Sequence, residues 1–342
     1  MSENISPSSE YELITRLHAV LQMESGKYYP VGIGDDAAVR RADAGNRLVL
    51  TTDVSVEDIH FSRAYMSMEE IGYRAMVSNL SDCAAMGGRP DGALVQLVIP
   101  RKEPDAIPAV EALYHGFREA GHRWRFPVVG GDISSGVQWV IGITLLGRVP
   151  VERRILLRKG MKPGDRLWIT GPPGRSAAGL LLLQQMRRSE IPDEYTALVT
   201  AHIRPVPRVE YGEFLGMQSE VHSVMDCSDG LSKDCRTLCR ENGCGIILTA
   251  DTSHLPDAMI QLSREIRHPW QQWYFHGGED YELLFSADSG FDPAECELFS
   301  GESVPVCIGE CTDKVSGLFV REGTAVVALA EKSFDHIGIH LK

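Results

Sequence analysis

Two rhythms of apolar and polar positions run along this chain: short apolar runs, and longer stretches whose apolar residues recur every three or four positions. Residues 48–54 and 93–99 read as buried strands. Between them, residues 68–86 place Met76, Leu80 and Cys83 on one face, as a helix would. Ser67 and Glu70 have capping-box spacing at its start, and Gly87-Gly88 stops it. Residues 108–121 predict a second helix, 127–130 a short strand entering a glycine turn, and 139–146 a longer strand. Further on, a strand over 166–170 meets the turn Gly171-Pro172-Pro173-Gly174, which leads into a helix over 176–187 and offers backbone N–H groups to an anion. A strand over 221–225 ends on Asp226, and a helix over 229–242 carries Leu231, Cys235 and Leu238 on one face with Gly243 as its C-cap. Residues 281–286 predict one more strand. Alternation of this kind predicts an α/β (α+β) architecture rather than a bundle or an all-β sandwich.

At 342 residues the chain exceeds one typical domain, so two are expected. Composition turns basic after Gly147-Arg148-Val149-Pro150, through Arg153, Arg154, Arg158 and Lys159, which places the division near residue 150, as 1–150 and 151–342. The formal charge of −13 argues against non-specific binding to nucleic acid, which requires basic surface. The eight cysteines show no Cys-x-x-Cys pair, and the spacing of Cys235, Cys239 and Cys244 does not suit a zinc knuckle. Reduced thiols and a cytoplasmic location are the expectation. The first ten residues lack an apolar signal core, and no apolar run approaches the length of a membrane span, so no membrane association is expected.

Acids beside small or hydroxyl residues recur at the ends of these elements. They are Asp35-Asp36 after Gly34, Asp53 after Thr51-Thr52, Asp82 after Asn79-Leu80-Ser81, Asp132 after Gly130-Gly131, Asp226 and Asp229 around Cys227-Ser228, and Glu279-Asp280 after Gly277-Gly278. Two unit charges ~4 Å apart interact by roughly 4 kcal/mol at an effective dielectric of 20, and a domain is stable by only about 5–15 kcal/mol. Convergence of several such acids therefore requires cations, and all-oxygen sites suit Mg²⁺, Mn²⁺ or Ca²⁺, with Mg²⁺ pairing carboxylates with phosphates. Asp82 falls in the last turn of its helix, where the helix dipole disfavours a carboxylate unless a cation compensates it.

No phosphate loop of the Gly-x-x-x-x-Gly-Lys-Ser/Thr type, no His-Arg-Asp or Asp-Phe-Gly set, no Gly-x-Ser-x-Gly elbow and no His-Glu-x-x-His helix is present. The blocks that are present do resemble a known set. Gly-Ile-Gly-Asp-Asp-Ala-Ala-Val (32–39), Thr-Thr-Asp followed by His60-Phe61, Asn-Leu-Ser-Asp-Cys-Ala-Ala-Met-Gly (79–87), Gly-Gly-Asp (130–132), Asp-Cys-Ser-Asp-Gly-Leu (226–231) and Gly-Gly-Glu-Asp-Tyr-Glu-Leu (277–283) look like those of the thiamine-monophosphate kinases. That family belongs to the aminoimidazole-ribotide synthetase superfamily. The likeness runs in order from about residue 10 to Phe334.

The resemblance implies a two-domain homodimer that transfers the γ-phosphoryl group of ATP to thiamine monophosphate, with several Mg²⁺ ions. Its N-terminal domain would bind ATP and Mg²⁺ and form the dimer, and its C-terminal domain would complete the site. Carried over, the metal-binding acids are Asp36, Asp53, Asp82, Asp132, Asp226 and Asp229, with oxygens from Thr51 and Thr52. Gly131, Asp132, Ser228 and Arg158 would meet ATP, and His60, Glu279 and Phe334 the thiamine phosphate; Tyr114 is a further candidate beside the adenine. Some readings stay open: Asp35 as a turn-shaping residue, His60 as a structural histidine, Arg158 as part of a solvated basic face, and Ser228 and Asp229 as helix caps. No covalent nucleophile or general base is expected, because a phosphate acceptor with a second pKa of about 6 is already largely ionised at neutral pH. Glu279 and Phe334 would suit the fixed positive charge of the thiazolium ring. The rival readings are another ATP-dependent member of the superfamily, such as the purine-pathway cyclo-ligase, and a nucleotide-binding module without turnover.

Overall fold

The capping box closes as its spacing predicts: the Ser67 N–H donates to Glu70 Oε2 at 2.9 Å and the Glu70 N–H to Ser67 Oγ at 3.2 Å. These bonds satisfy donors that a helix start leaves open. The computed structural model describes residues 16, 19–21, 44–293 and 304–330. The described residues divide into two compact units, one within Met1–Cys83 and Gly88–Arg153, the other within Ala84–Gly87 and Arg154–Lys342.

In the first unit, β1 (Asn46–Val56), α1 (Met68–Ala85), β2 (Arg89–Pro100), α2 (Ala106–Trp124), β3 (Val128–Gly136) and β4 (Val140–Pro150) follow in order. The sheet order is β1-β4-β2-β3, antiparallel except for the parallel pair β2 and β3. Strand residues alternate between faces, and here the two faces differ. Val49, Ala93, Val95, Leu97, Ile141, Ile143 and Leu145 share the buried face, whereas Leu48, Leu50 and Val54 stand on the other, 49%, 67% and 53% exposed. Helices α1 and α2 cross so closely that a Cβ on Gly72 would lie 2.1 Å from the Leu113 carbonyl oxygen, and one on Gly116 2.0 Å from that of Glu69.

One local reading is corrected in this unit. The Gly130-Gly131-Asp132 motif is not a turn but part of β3. A Cβ on Gly131 would lie 1.8 Å from the Val95 carbonyl oxygen, so the glycine serves the close approach of β3 to β2.

The second unit comprises β5 (Arg166–Ile169), α3 (Arg175–Gln185), α4 (Thr196–Ile203), α5 (Val209–Leu215), β6 (Val221–Cys227), α6 (Leu231–Asn242), β7 (Gly245–Thr249), α7 (Asp257–Glu265), α8 (Trp270–His276), β8 (Glu282–Ala287), β9 (Val306–Thr312), β10 (Leu318–Glu322) and β11 (Ala325–Ala328). Its sheet runs β11-β10-β7-β9-β5-β8-β6, with only β7 and β10 parallel. Leu167, Ile169, Val224, Ile246, Leu248, Leu283, Leu284 and Phe285 are buried within it. Each such side chain contributes roughly 1.5–3 kcal/mol. Helix α6 ends at Gly243, with φ of 66° and its N–H bonded to the Cys239 carbonyl, as a C-cap glycine should be. Its start is corrected: Gly230, with φ of 104°, is the N-cap and no side chain caps the helix, so Ser228 and Asp229 lie outside it. Cys227, Cys235, Cys239, Cys244 and Cys311 are buried free thiols, and Cys307 is an exposed one.

Candidate active site

Pleating of β1 divides its three polar residues. Thr51 and Asp53 belong to the row that includes Leu145 and Ile143, on the buried face, while Thr52 pairs with Thr144 on the open face. The Thr51 hydroxyl donates to Asp82 Oδ2 across to α1, so strand and helix bring these two predicted residues together. Thr52 turns away, donating to the Ile143 carbonyl at 3.1 Å. One turn before Asp82, Asn79 is fully buried, its amide nitrogen 3.4 Å from the Ala75 carbonyl and its Oδ1 without a hydrogen-bond partner. His60 Nδ1 accepts the Val56 N–H at 3.1 Å, and the His60 carbonyl accepts Arg74 Nη1 at 2.6 Å, so local contacts fix this histidine. Asp132 is exposed on β3, opposite Gln96 on the open face. Two strands, β4 and β2, separate β3 from β1, a spacing of about 14 Å. Asp53 and Asp132 of one chain therefore do not reach a common ion. Tyr114 lies in the core, edge-on to Phe117 at 5.1 Å.

In the second unit the two acidic turns interlock. The Glu279 N–H donates to the Ser228 carbonyl at 2.7 Å and the Tyr281 N–H to the Cys227 carbonyl at 3.0 Å. Glu279 and Tyr281 both adopt the left-handed region, with φ of 66° and 54°. Such backbone in residues other than glycine persists only where surroundings impose it. Asp226 is buried at the end of β6, and Asp229 is half-exposed with Oδ2 2.8 Å from Lys233 Nζ. Asp234, in the first turn of α6, lies close enough that burial first, then Asp226 and Asp229, push its pKa well above the usual carboxylate value. Its Oδ2 is buried without a hydrogen-bond partner. Burial likewise pushes up the Cys227 thiol, so no thiolate nucleophile stands between the motif aspartates.

The anion site expected at the Gly171–Gly174 turn is already filled by the chain itself. Asp280 accepts the Gly174 N–H at 2.5 Å and the Ser176 N–H at 3.0 Å, capping α3. Glu282, two residues on, is 1% exposed and accepts from Thr170 Oγ1 at 2.6 Å, Arg175 Nη2 at 2.7 Å, and Arg208 Nε and Nη2 at 2.6 and 2.7 Å. Arg158 is exposed, and its carbonyl accepts Asn242 Nδ2 at 2.9 Å at the last residue of α6. Twelve helical residues span about 18 Å, so the Arg158 backbone sits at the opposite end of α6 from Ser228 and Asp229.

Asp36 and Phe334 lie outside the described residues. Among the described residues no group of three or more His, Cys, Asp or Glu side chains could hold a metal ion by itself. The residues nonetheless fit a hard cation: each unit holds a buried, unpartnered oxygen near its motif acids, Asn79 Oδ1 one helical turn before Asp82 and Asp234 Oδ2 beside Asp226 and Asp229. Such a cation would complete its shell with water and phosphate oxygens, the habit of Mg²⁺. Sequence reasoning missed Asn79, Asp234 and the two buried acids Asp280 and Glu282. Asn79, Asp280 and Glu282 stood within the quoted blocks and Asp234 three residues beyond one, but only folding shows what each faces.

Residues 34–149 match the N-terminal domain, and residues 162–320 the C-terminal domain, of the AIR synthase related proteins. The chain is similar to the thiamine-monophosphate kinase of Bacillus subtilis (strain 168), 35% identical over 317 residues, covering 90% of this chain and 93% of that protein. Its fold is similar to the crystal structure of the thiamine-monophosphate kinase from Stenotrophomonas maltophilia K279a, with a TM-score of 0.78, 29% identity, and coverage of 91% of this chain and 96% of that one. It is also similar to AaThiL complexed with AMPPCP and TMP, with a TM-score of 0.75, 28% identity, and coverage of 98% and 100%.

Proposed function

From the premise that the chain belongs to the thiamine-monophosphate kinase family of AIR synthase related proteins, we propose how its residues transfer the ATP γ-phosphoryl group to thiamine monophosphate. The protein is an ATP-dependent kinase that makes thiamine diphosphate and ADP. Asp36, Asp53, Asp82, Asp132, Asp226 and Asp229, with oxygens of Thr51 and Thr52, would hold several Mg²⁺ ions. Bound there, Mg²⁺ supplies the positive charge that lets two anionic phosphates approach. Gly131, Ser228 and Arg158 bind the nucleotide, and His60, Glu279 and Phe334 the acceptor. Asp132 thus serves both nucleotide and metal.

The observation that carries this reading is the bond from the Glu279 N–H to the Ser228 carbonyl at 2.7 Å. It supports a nucleotide residue and an acceptor residue on adjoining backbones, so one cleft can align donor and acceptor for direct in-line transfer. No base is required, because the acceptor phosphate is already ionised. Glu279 opposes the cationic thiazolium ring.

Homodimerisation and a cytoplasmic location complete the reading. The exposed Leu48, Leu50 and Val54 form an apolar stripe on an outer strand, which favours a second copy on that face. Asp132 opens onto the same face, so a second chain there would lie over Asp132, whose own Asp53 is too far away to share its cation. Buried free thiols suit a reducing compartment. No helix among the described residues is long and apolar enough to cross a membrane.

The test compares ADP release with thiamine monophosphate and with formylglycinamidine ribotide, the cyclo-ligase substrate. Turnover with the former alone is expected. Turnover with the latter alone overturns the reading.

A further inference from the structure

His202 occupies the last turn of α4, is 1% exposed, and belongs to none of the acidic motifs. Its Nδ1 lies 3.1 Å from Ser176 Oγ and 4.0 Å from Glu279 Oε2. Ser176 is fully buried in the first turn of α3, and its N–H donates to Asp280 Oδ1 at 3.0 Å. Three elements therefore meet at Glu279: the start of α3, the end of α4, and the turn that carries the carboxylate. They have little slack, since a Cβ on Gly179 of α3 would lie 2.1 Å from the Leu198 carbonyl oxygen of α4.

We propose that His202 is a positioning residue for the thiamine-monophosphate site, acting through Glu279. The inference rests on the reading of Glu279 as an acceptor residue. The left-handed backbone at Glu279 sets the direction in which its side chain leaves the turn, but several bonds remain free to rotate beyond it. The buried imidazole, itself fixed by Ser176, stands at ion-pair distance from the inner side of a carboxylate whose side chain is 30% exposed. At 4.0 Å, longer than a hydrogen bond, the imidazole limits how far the carboxylate can turn inward and leaves its outer side for a cationic ring. Preorganisation of this kind lowers the entropy lost on binding, so its removal weakens acceptor binding and leaves nucleotide binding alone.

The test measures kcat and both KM values for His202→Leu, His202→Asn, Ser176→Ala, Glu279→Gln and the double variant His202→Leu/Glu279→Gln, in the full chain. His202→Leu should raise KM for thiamine monophosphate by about tenfold, the scale of coupling between contacting residues, with KM for ATP unchanged. His202→Asn, whose amide can replace Nδ1, should restore most of the loss. The double variant should match Glu279→Gln alone. Ser176→Ala keeps the backbone cap and should shift the same KM in the same direction, so it tests the contact even if His202→Leu fails to fold. Equal loss for ATP and acceptor, or additive effects in the double variant, would overturn the inference. If Glu279→Gln raises the acceptor KM and His202→Leu does not, the inference fails alone; if Glu279→Gln leaves it unchanged, the acceptor reading fails and the inference with it.

Discussion

Asp280 fills the helix N-terminus that Gly174 opens, its Oδ2 accepting the Gly174 N–H at 2.5 Å. The carboxylate is buried, and burial pushes its pKa up to about 7 although two N–H donors oppose the shift. Between the ordinary carboxylate value of 3.8 and about 7, the folded chain binds more protons than the unfolded chain. Stability from this group is thus complete below that range, falls as pH rises through it, and is lost above about 7. The loss is on the order of 4 kcal/mol at one pH unit per 1.36 kcal/mol. Asp280→Asn removes the titration and one cap bond, so urea unfolding from pH 4 to 8 should show a flatter profile for the variant. An unchanged slope would contradict the assignment.

Glu282 ties four segments together, and its environment predicts an asymmetric response to mutation. The nearby Arg208 and Arg175 guanidiniums, with the Thr170 hydroxyl, outweigh burial and hold its pKa below the usual value. Removing one partner of a buried pair leaves a charge uncompensated. Arg208→Leu should therefore destabilise the protein by about 3 kcal/mol in urea unfolding. A loss under about 1 kcal/mol, typical of exposed pairs, would show that Arg175 suffices.

Asp226 should separate activity from stability. It is buried beside Asp234 and contributes to raising that residue's pKa. Asp226→Asn should lower kcat at least about a hundredfold yet raise Tm in metal-free buffer, because like-charge repulsion is relieved. ADP release and thermal unfolding together check this. Near wild-type turnover would remove Asp226 from the metal set.

Leu50, 67% exposed on an outer strand, is the most direct probe of the apolar face. Leu50→Asp should convert a dimer to a monomer in light scattering, and should reduce turnover if Asp132 works with a second chain. A monomeric wild-type protein, or a variant still dimeric, would contradict the proposed interface.

The legible part of this molecule was local. Ser67 and Glu70 announced a helix start, Gly243 a helix end, and the apolar run before Thr51-Thr52-Asp53 a strand, because caps and pleats depend on neighbours within a few residues; that strand read as buried, but it is an outer strand with Leu48, Leu50 and Val54 exposed. What stayed hidden depended on distant partners. Gly131 read as a turn residue until Val95 appeared opposite it in the sheet, and the Gly171–Gly174 turn read as an open anion site until Asp280 arrived from more than a hundred residues away. The separation of Asp53 from Asp132 follows from strand order, which no local pattern carries.

The central claim is that these carboxylates hold magnesium against the reacting phosphates. The most direct measurement is a crystal structure of the protein with a non-hydrolysable ATP analogue, Mg²⁺ and thiamine monophosphate. The account predicts Mg²⁺ on Asp53 and Asp82 of the first unit and on Asp226 and Asp229 of the second, with the phosphates held by those ions. Phosphates bound with those carboxylates uncoordinated would contradict it.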